Sequence, residues 1–175
     1  MELSTEIKES SIMLLIVPKE KYNPSIIDIA KSVKLNSSRV CYVCVNNPYS
    51  FVASRLSKAG LGPENFFFID TLTKSVQEPQ PVKDCIFVSA PNALTEISLA
   101  FSKAFAEMKC DSAIFDTLSA FLIYENPHTI IQFIHNILTK IKISAGKAVF
   151  VALKEDINSE LVKDLYMFVD KVVEI

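Results

Sequence analysis

The residue best placed to do chemistry in this sequence is Asp116. It ends an apolar run inside CDSAIFDTLSAFLIY (Cys110–Tyr124), with Thr117 and Ser119 close behind. A carboxylate at the carboxyl end of a buried strand can hold Mg²⁺ for a nucleoside triphosphate, sharing the metal with the phosphates. That chemistry also needs a phosphate cradle after the first strand, of the form G-x-x-x-x-G-K-S/T. Its glycines let backbone N–H groups close round the phosphates, and its lysine reaches the outer ones. The segment after the first apolar run, VPKEKYNPSIIDIAK (Val17–Lys31), contains no glycine, and the whole chain has only Gly60, Gly62 and Gly146. Pro24 removes a further N–H from the helix start that would face an anion. Lys19 and Lys21 are weak candidates for attracting an anion there. A lone carboxylate without phosphates holds Mg²⁺ poorly, so no metal and no cofactor are expected. Asp116 is expected instead to accept hydrogen bonds from backbone near Thr117 and Ser119, because a buried acid needs partners.

The other reactive side chains form no catalytic pattern. Cys41 and Cys44 make a C-x-x-C inside RVCYVCV, but that stretch reads as a strand, where residues three apart face opposite sides. A redox pair would need a helix N-terminus to lower a thiol pKa, and a zinc site would need a second ligand pair, whereas Cys85 and Cys110 are isolated. His128 and His135 share a helix face opposite the apolar set Ile130, Ile131, Ile134, Ile137, Leu138 and Ile141, and are expected to be solvated. Ser119 lies in DTLSAF, which is not a nucleophile elbow. Asp70 is expected to close a strand or cap a turn. No catalytic residue is assigned.

Short apolar runs that would position these residues recur along the chain, at Ile12–Val17, Val40–Val45, Phe66–Ile69, Cys85–Ser89, Ala113–Thr117, Ala148–Leu153 and Lys171–Ile175. Several are apolar on both faces, as parallel strands covered by helices on two sides must be. Helical patterns lie between them. Asn23-Pro24, Asn47-Pro48 and Asn126-Pro127 each read as an N-cap followed by proline at the first helical position. After Ala90, the residues Leu94, Ile97, Phe101, Ala104, Phe105 and Met108 fall on one face of a core-facing helix. TKSVQEPQPVK (Thr73–Lys83) reads as a surface loop. Regular alternation of strand and helix predicts a three-layer α/β/α sandwich with a mostly parallel central sheet, in one domain spanning residues 1–175.

Composition narrows the functional classes. Half the residues are hydrophobic and 22% are charged, which argues for a well-filled core and against disorder. The net charge of −2, with Lys and Arg spread along the chain, disfavours a nucleic-acid partner. The N-terminus MELSTEIKES lacks the basic start and apolar run of a signal peptide, and the longest aliphatic runs are too short to span a bilayer. A cytoplasmic protein with reduced thiols and no membrane contact is expected.

The second half resembles the RecA-like P-loop ATPase core, most closely its KaiC-like branch. The resemblance lies in DSAIFDTLSAFLIYENPHTIIQFIHNILTKIK, then KAVFVAL, then LYMFVDKVVEI. In that branch a strand ending in Asp-Ser/Thr-Leu-Ser precedes a long helix and an apolar strand, and a D-x-V-I/V-x-L strand closes the sheet. RVCYVCVNNPYSFVASRLSKAGLGPENFFFID (Arg39–Asp70) is similar to the strand–helix–strand that follows the first ATPase helix. VSAPNALTEISLAF (Val88–Phe101) resembles uncharacterised archaeal KaiC-related proteins that lack the phosphate loop. The resemblance places Asp116 at the Walker B acid and leaves the phosphate-loop Lys and Ser/Thr without a counterpart. No residue matches a catalytic glutamate, since Glu125 lies beyond the Asp116 loop. What it implies is a RecA-like fold without ATPase chemistry: a regulatory or scaffold subunit working through protein–protein contacts, with a second copy or a related ATPase as partner. The alternative is residual nucleotide or anion binding without hydrolysis.

Overall fold

A computed structural model describes residues 3–175. Seven strands form one sheet in the order β4-β3-β2-β5-β6-β1-β7, and every neighbouring pair is parallel. The strands are β1 (Ile12–Val17), β2 (Val40–Cys44), β3 (Phe66–Asp70), β4 (Cys85–Phe87), β5 (Ser112–Asp116), β6 (Lys147–Leu153) and β7 (Lys171–Glu174). All seven stand where the apolar runs place them, with ends moved by one or two residues. β1, β2, β3 and β5 are buried along their whole length, because helices cover both faces.

Strand parity divides the core in two. Ile12, Leu14 and Ile16 of β1, Cys41 and Val43 of β2, and Phe115 of β5 pack under α4 (Leu94–Ala106), α5 (Leu118–Tyr124), α6 (Pro127–Ile143) and α7 (Glu160–Leu165). Met13, Leu15, Val17, Tyr42, Cys44 and Ile114 face the other way, toward α1 (Leu3–Glu9), α2 (Tyr22–Leu35) and α3 (Tyr49–Lys58). Cys41 and Cys44 therefore sit on opposite faces, as their spacing requires. All four cysteines are buried and free, and burial pushes their thiols up, Cys110 to about 12. Among the described residues, no helix is long and apolar enough to cross a membrane.

One of the three Asn-Pro starts is as expected. Asn126 caps α6, its side chain accepting from the Thr129 N–H at 2.9 Å, with Pro127 at the first helical position. Asn23 does not cap. A 3-10 turn at Lys19–Lys21 runs straight into α2, so Asn23 and Pro24 fall inside the first helical turn, where a missing N–H costs nothing. At α3 the N-cap position is Pro48, and the free N–H of Tyr49 is taken by Asp70 Oδ2 of β3 at 2.8 Å rather than by Asn47. Asp70 also accepts from the N–H groups of Leu72 and Thr73, and so closes the strand and shapes the turn together. Asn126→Ala is expected to cost about 1 kcal/mol in urea denaturation. Asn47→Ala should lose no cap energy, only the 3.3 Å bond its amide donates to the Tyr22 oxygen. In a Tyr22→Phe background it should be nearly neutral, and a full cap cost there would contradict this assignment.

His135 departs from expectation. It is half-buried, with Nε2 3.2 Å from Asp164 Oδ2 and its ring edge-on to Phe168 at 4.1 Å, because α7 and the turn after it fold back over α6. His128 is exposed. The helix after Ala90 buries Ile97, Ala100, Phe101 and Ala104, with Leu94, Phe105 and Met108 packed at its edges.

Candidate functional site

β5 lies between β2 and β6 near the middle of the sheet, and Asp116 is its last residue. Even-numbered positions of β5 face α2 and α3, so the Asp116 side chain points into that half of the core and is 1% exposed. Its partners come from two other elements. The hydroxyl of Tyr22, the first residue of α2, donates to both carboxylate oxygens at 2.7 and 2.8 Å. The hydroxyl of Tyr42, on β2, donates to Oδ2 at 2.5 Å. The Asn47 amide in turn donates to the Tyr22 oxygen at 3.3 Å. The expectation that Asp116 binds nearby backbone donors is thus corrected: its side chain faces away from the turn that follows.

That turn is satisfied by its own residues. The Asp116–Thr117 peptide bond is cis. Thr117 caps α5 by accepting from Ala120 N–H at 3.1 Å, and Ser119 Oγ accepts from Leu153 N–H at the end of β6. The Asp116 carbonyl accepts from Val45 and Asn46, tying the end of β2 to β5. Glu125 closes the far end of α5, where its carboxylate accepts from Asn126.

Burial is the dominant influence on the carboxyl. Desolvation raises Asp116 from its ordinary range to about 6, against the pull of the Tyr42 and Tyr22 hydroxyls and of Arg55. Burial, followed by the adjacent carboxylate, holds both phenols far above their usual values, so they remain donors at any physiological pH. Beside the carboxylate lies a pocket lined by Ile26, Asn47, Phe51, Val52, Arg55 and the two tyrosines. About 10 Å³ of room remains there, space for one water molecule. Arg55 is engaged elsewhere, donating to the Asn23 side chain at 2.9 Å and to the Asn23 carbonyl at 2.6 Å.

Lys19 and Lys21 stand exposed on the 3-10 turn after β1 and do not line this pocket. The Lys21 N–H is taken by the Pro18 carbonyl, and the Lys19 N–H faces the Glu155 carboxylate at 3.4 Å. Among the described residues, no group of three or more His, Cys, Asp or Glu is placed to hold a metal ion. Sequence reasoning passed over Tyr22, Tyr42 and Arg55. No spacing in the sequence points to them; only once β2 is placed against β5 does strand parity put Tyr42 and Asp116 on the same face.

Residues 35–175 match the model of a family described as a family of unknown function (DUF7504). The chain belongs to that family. No curated protein matches it. Among solved structures it is similar to the KaiC-like protein PH0186 from the hyperthermophilic archaeon Pyrococcus horikoshii OT3. The TM-score is 0.67 and the identity 6%, over 94% of this chain and 71% of that one. It is also similar to the flagellar accessory protein FlaH from Methanocaldococcus jannaschii, with TM-score 0.55 and 12% identity over 94% of this chain and 70% of that one. At such identities the likeness concerns the fold, which is the RecA-like α/β fold that the sequence resemblance implied.

Proposed function

We propose that this family member is a non-catalytic RecA-like domain. On this reading it serves in the cytoplasm as a regulatory or scaffold subunit through contacts with protein partners, a second copy or a related ATPase among them. The observation that carries the reading is the occupancy of the Asp116 carboxylate by the hydroxyls of Tyr22 and Tyr42. The resemblance puts a magnesium-holding acid at this position, and Tyr22 opens the very helix that would carry the phosphate-loop Lys and Ser/Thr. Mg²⁺ needs near-octahedral oxygen ligands at about 2.0–2.1 Å and keeps several waters. It would have to displace both phenols from a space that holds about one water. Phosphoryl transfer further depends on positioned backbone donors and a lysine, and the glycine-free segment Val17–Lys31 offers no cradle for either.

The test is thermal unfolding with and without millimolar MgATP, paired with a hydrolysis assay. A ligand at a hundred times its Kd stabilises by about 2.7 kcal/mol, worth roughly 5–10 °C for a chain of this size. A Tm shift below 1 °C and no turnover above background are expected. A shift of several degrees, or turnover lost in Asp116→Ala, would overturn the reading.

Anion binding without hydrolysis is a second reading, favoured by the exposure of Lys19 and Lys21 at the carboxyl end of β1, where ligands bind in open α/β sheets. It predicts stabilisation by ATP or inorganic phosphate that disappears in Lys19→Glu, Lys21→Glu. The first reading predicts none.

A further inference from the structure

We propose that the seam between α2 and α3 is a docking surface for an acidic amphipathic helix of a protein partner. On α2, Ile27, Lys31 and Leu35 follow one another at four-residue steps and so share one side of the helix. On α3, Phe51, Arg55 and Lys58 stand at steps of four and three and do the same. The two lines meet. The Arg55 guanidinium donates to Asn23, one turn before Ile27, and Ile27 lines the same pocket as Phe51 and Arg55. Leu35 is 76% exposed and Phe51 47%, and Lys31 and Lys58 are exposed beside them.

Charge selects the occupant. The two helices carry Lys31, Lys34, Arg55 and Lys58 against a single carboxylate, Asp28, in a chain whose net charge is −2. Asp28 lines a different cavity, with Leu3, Glu6 and Val173, on the α1 side. Glu20 and Glu64 stand on 3-10 turns outside the helices, and Asp116 lies beneath, 1% exposed and held by the two phenols. Lys34 is engaged by the Ser37 and Ser38 carbonyls. No ion pair among the described residues includes Lys31, Arg55 or Lys58. The Arg55 guanidinium lies over the Phe51 ring, 5.6 Å from its centroid, so the seam offers an arginine and an aromatic together. Both residue types are enriched where protein interfaces are fully buried.

The same features exclude other occupants. The seam has room for about one water, too little for a small-molecule ligand, so its occupant lies along it rather than entering it. A two-fold contact with a second copy would set each line of cations against itself. Phosphate backbones call for a broad basic patch, whereas the cations here are interleaved with Ile27, Leu35 and Phe51. A helix with apolar residues at steps of three and four, and carboxylates on both flanks, answers the apolar side chains and the cations at once. The inference rests on the reading that the chain works through protein partners, and it names the face and the chemistry of one of them.

The probe is a synthetic helical peptide as long as α2, 14 residues, with leucine along one side and glutamate on both flanks. It is titrated into the isotope-labelled chain while the amide NMR shifts are followed. Saturable shifts confined to residues 27–35 and 51–58 are expected. Binding should weaken about tenfold in Lys31→Glu, Lys58→Glu, which leaves the Arg55 bonds in place, and about tenfold in Phe51→Ser. A companion peptide with lysine for glutamate should not bind. Should the double variant not fold, Phe51→Ser and the lysine peptide each decide alone. Equal binding of the two peptides, no loss in the variants, shifts on other elements, or no saturation at millimolar peptide overturns the proposal. So does tighter binding of duplex DNA or anionic vesicles at these residues. Self-association abolished by Lys31→Glu, Lys58→Glu also overturns it, since the seam would then hold a second copy. A silent seam sinks this surface alone, whereas stabilisation by MgATP sinks the non-catalytic reading.

Discussion

The double substitution Tyr22→Phe, Tyr42→Phe is expected to lower stability by about 3–5 kcal/mol at pH 7.5 and by about 1–3 kcal/mol at pH 4.5. Each change deletes one hydroxyl and leaves the ring. Packing is thus kept, and what is lost is every side-chain donor to Asp116. At pH 7.5 the carboxyl of the wild type is ionised, and bonds to an ionised acceptor are worth more than bonds to a neutral one. Without them the variant must either hold a bare buried charge or bind a proton that the solution supplies reluctantly. At pH 4.5 the acid is already neutral, so only ordinary hydrogen bonds are forfeited. Adding Asp116→Leu to the double variant should recover most of the loss at pH 7.5, because an apolar group tolerates the site that a naked carboxylate does not. Urea denaturation of the three proteins at the two pH values measures all of this. A cost that is equal at both pH values would mean the phenols do not hold a charge.

A second large effect is expected one residue earlier in the chain. Phe115→Ala should cost about 3–5 kcal/mol. Phe115 has 0% exposure and faces the half of the core under α4 to α7. Its ring stacks on Phe150 of β6 at 4.8 Å between centroids and lies 5.8 Å from Phe101 of α4. Truncation removes a ring that ties the two central strands to a covering helix, and strands fixed by hydrogen bonds on both sides cannot close the gap. Ile123→Ala is the control: it lies at the outer end of α5, is 77% exposed, and should change stability by no more than about 0.5 kcal/mol. Similar costs for the two would contradict the packing described. Since Phe115 and Asp116 are neighbours on opposite faces of β5, their effects report on the two halves of the core separately.

The sequence by itself determined the elements and the class of the fold. Runs such as IMLLIV and KAVFVAL are too apolar to leave either face in water, which makes them interior parallel strands whatever lies beside them. The 3.6-residue spacing of Ile130, Ile134, Ile137 and Ile141 likewise marks the inward side of α6 without further information. Asn126-Pro127 is a local signal with a local cause, and it holds. Asn23-Pro24 and Asn47-Pro48 carry the same signal and do not cap, because a 3-10 turn precedes one and a carboxylate from a distant strand serves the other. The tertiary structure alone decided the sheet order and the surroundings of Asp116. Tyr22 and Tyr42 lie 94 and 74 residues from Asp116 along the chain. No spacing rule links positions so far apart; they meet because β2 is placed against β5 and α2 is laid across that face. A buried carboxylate announces its need for partners in the sequence, but which partners answer is a matter of packing.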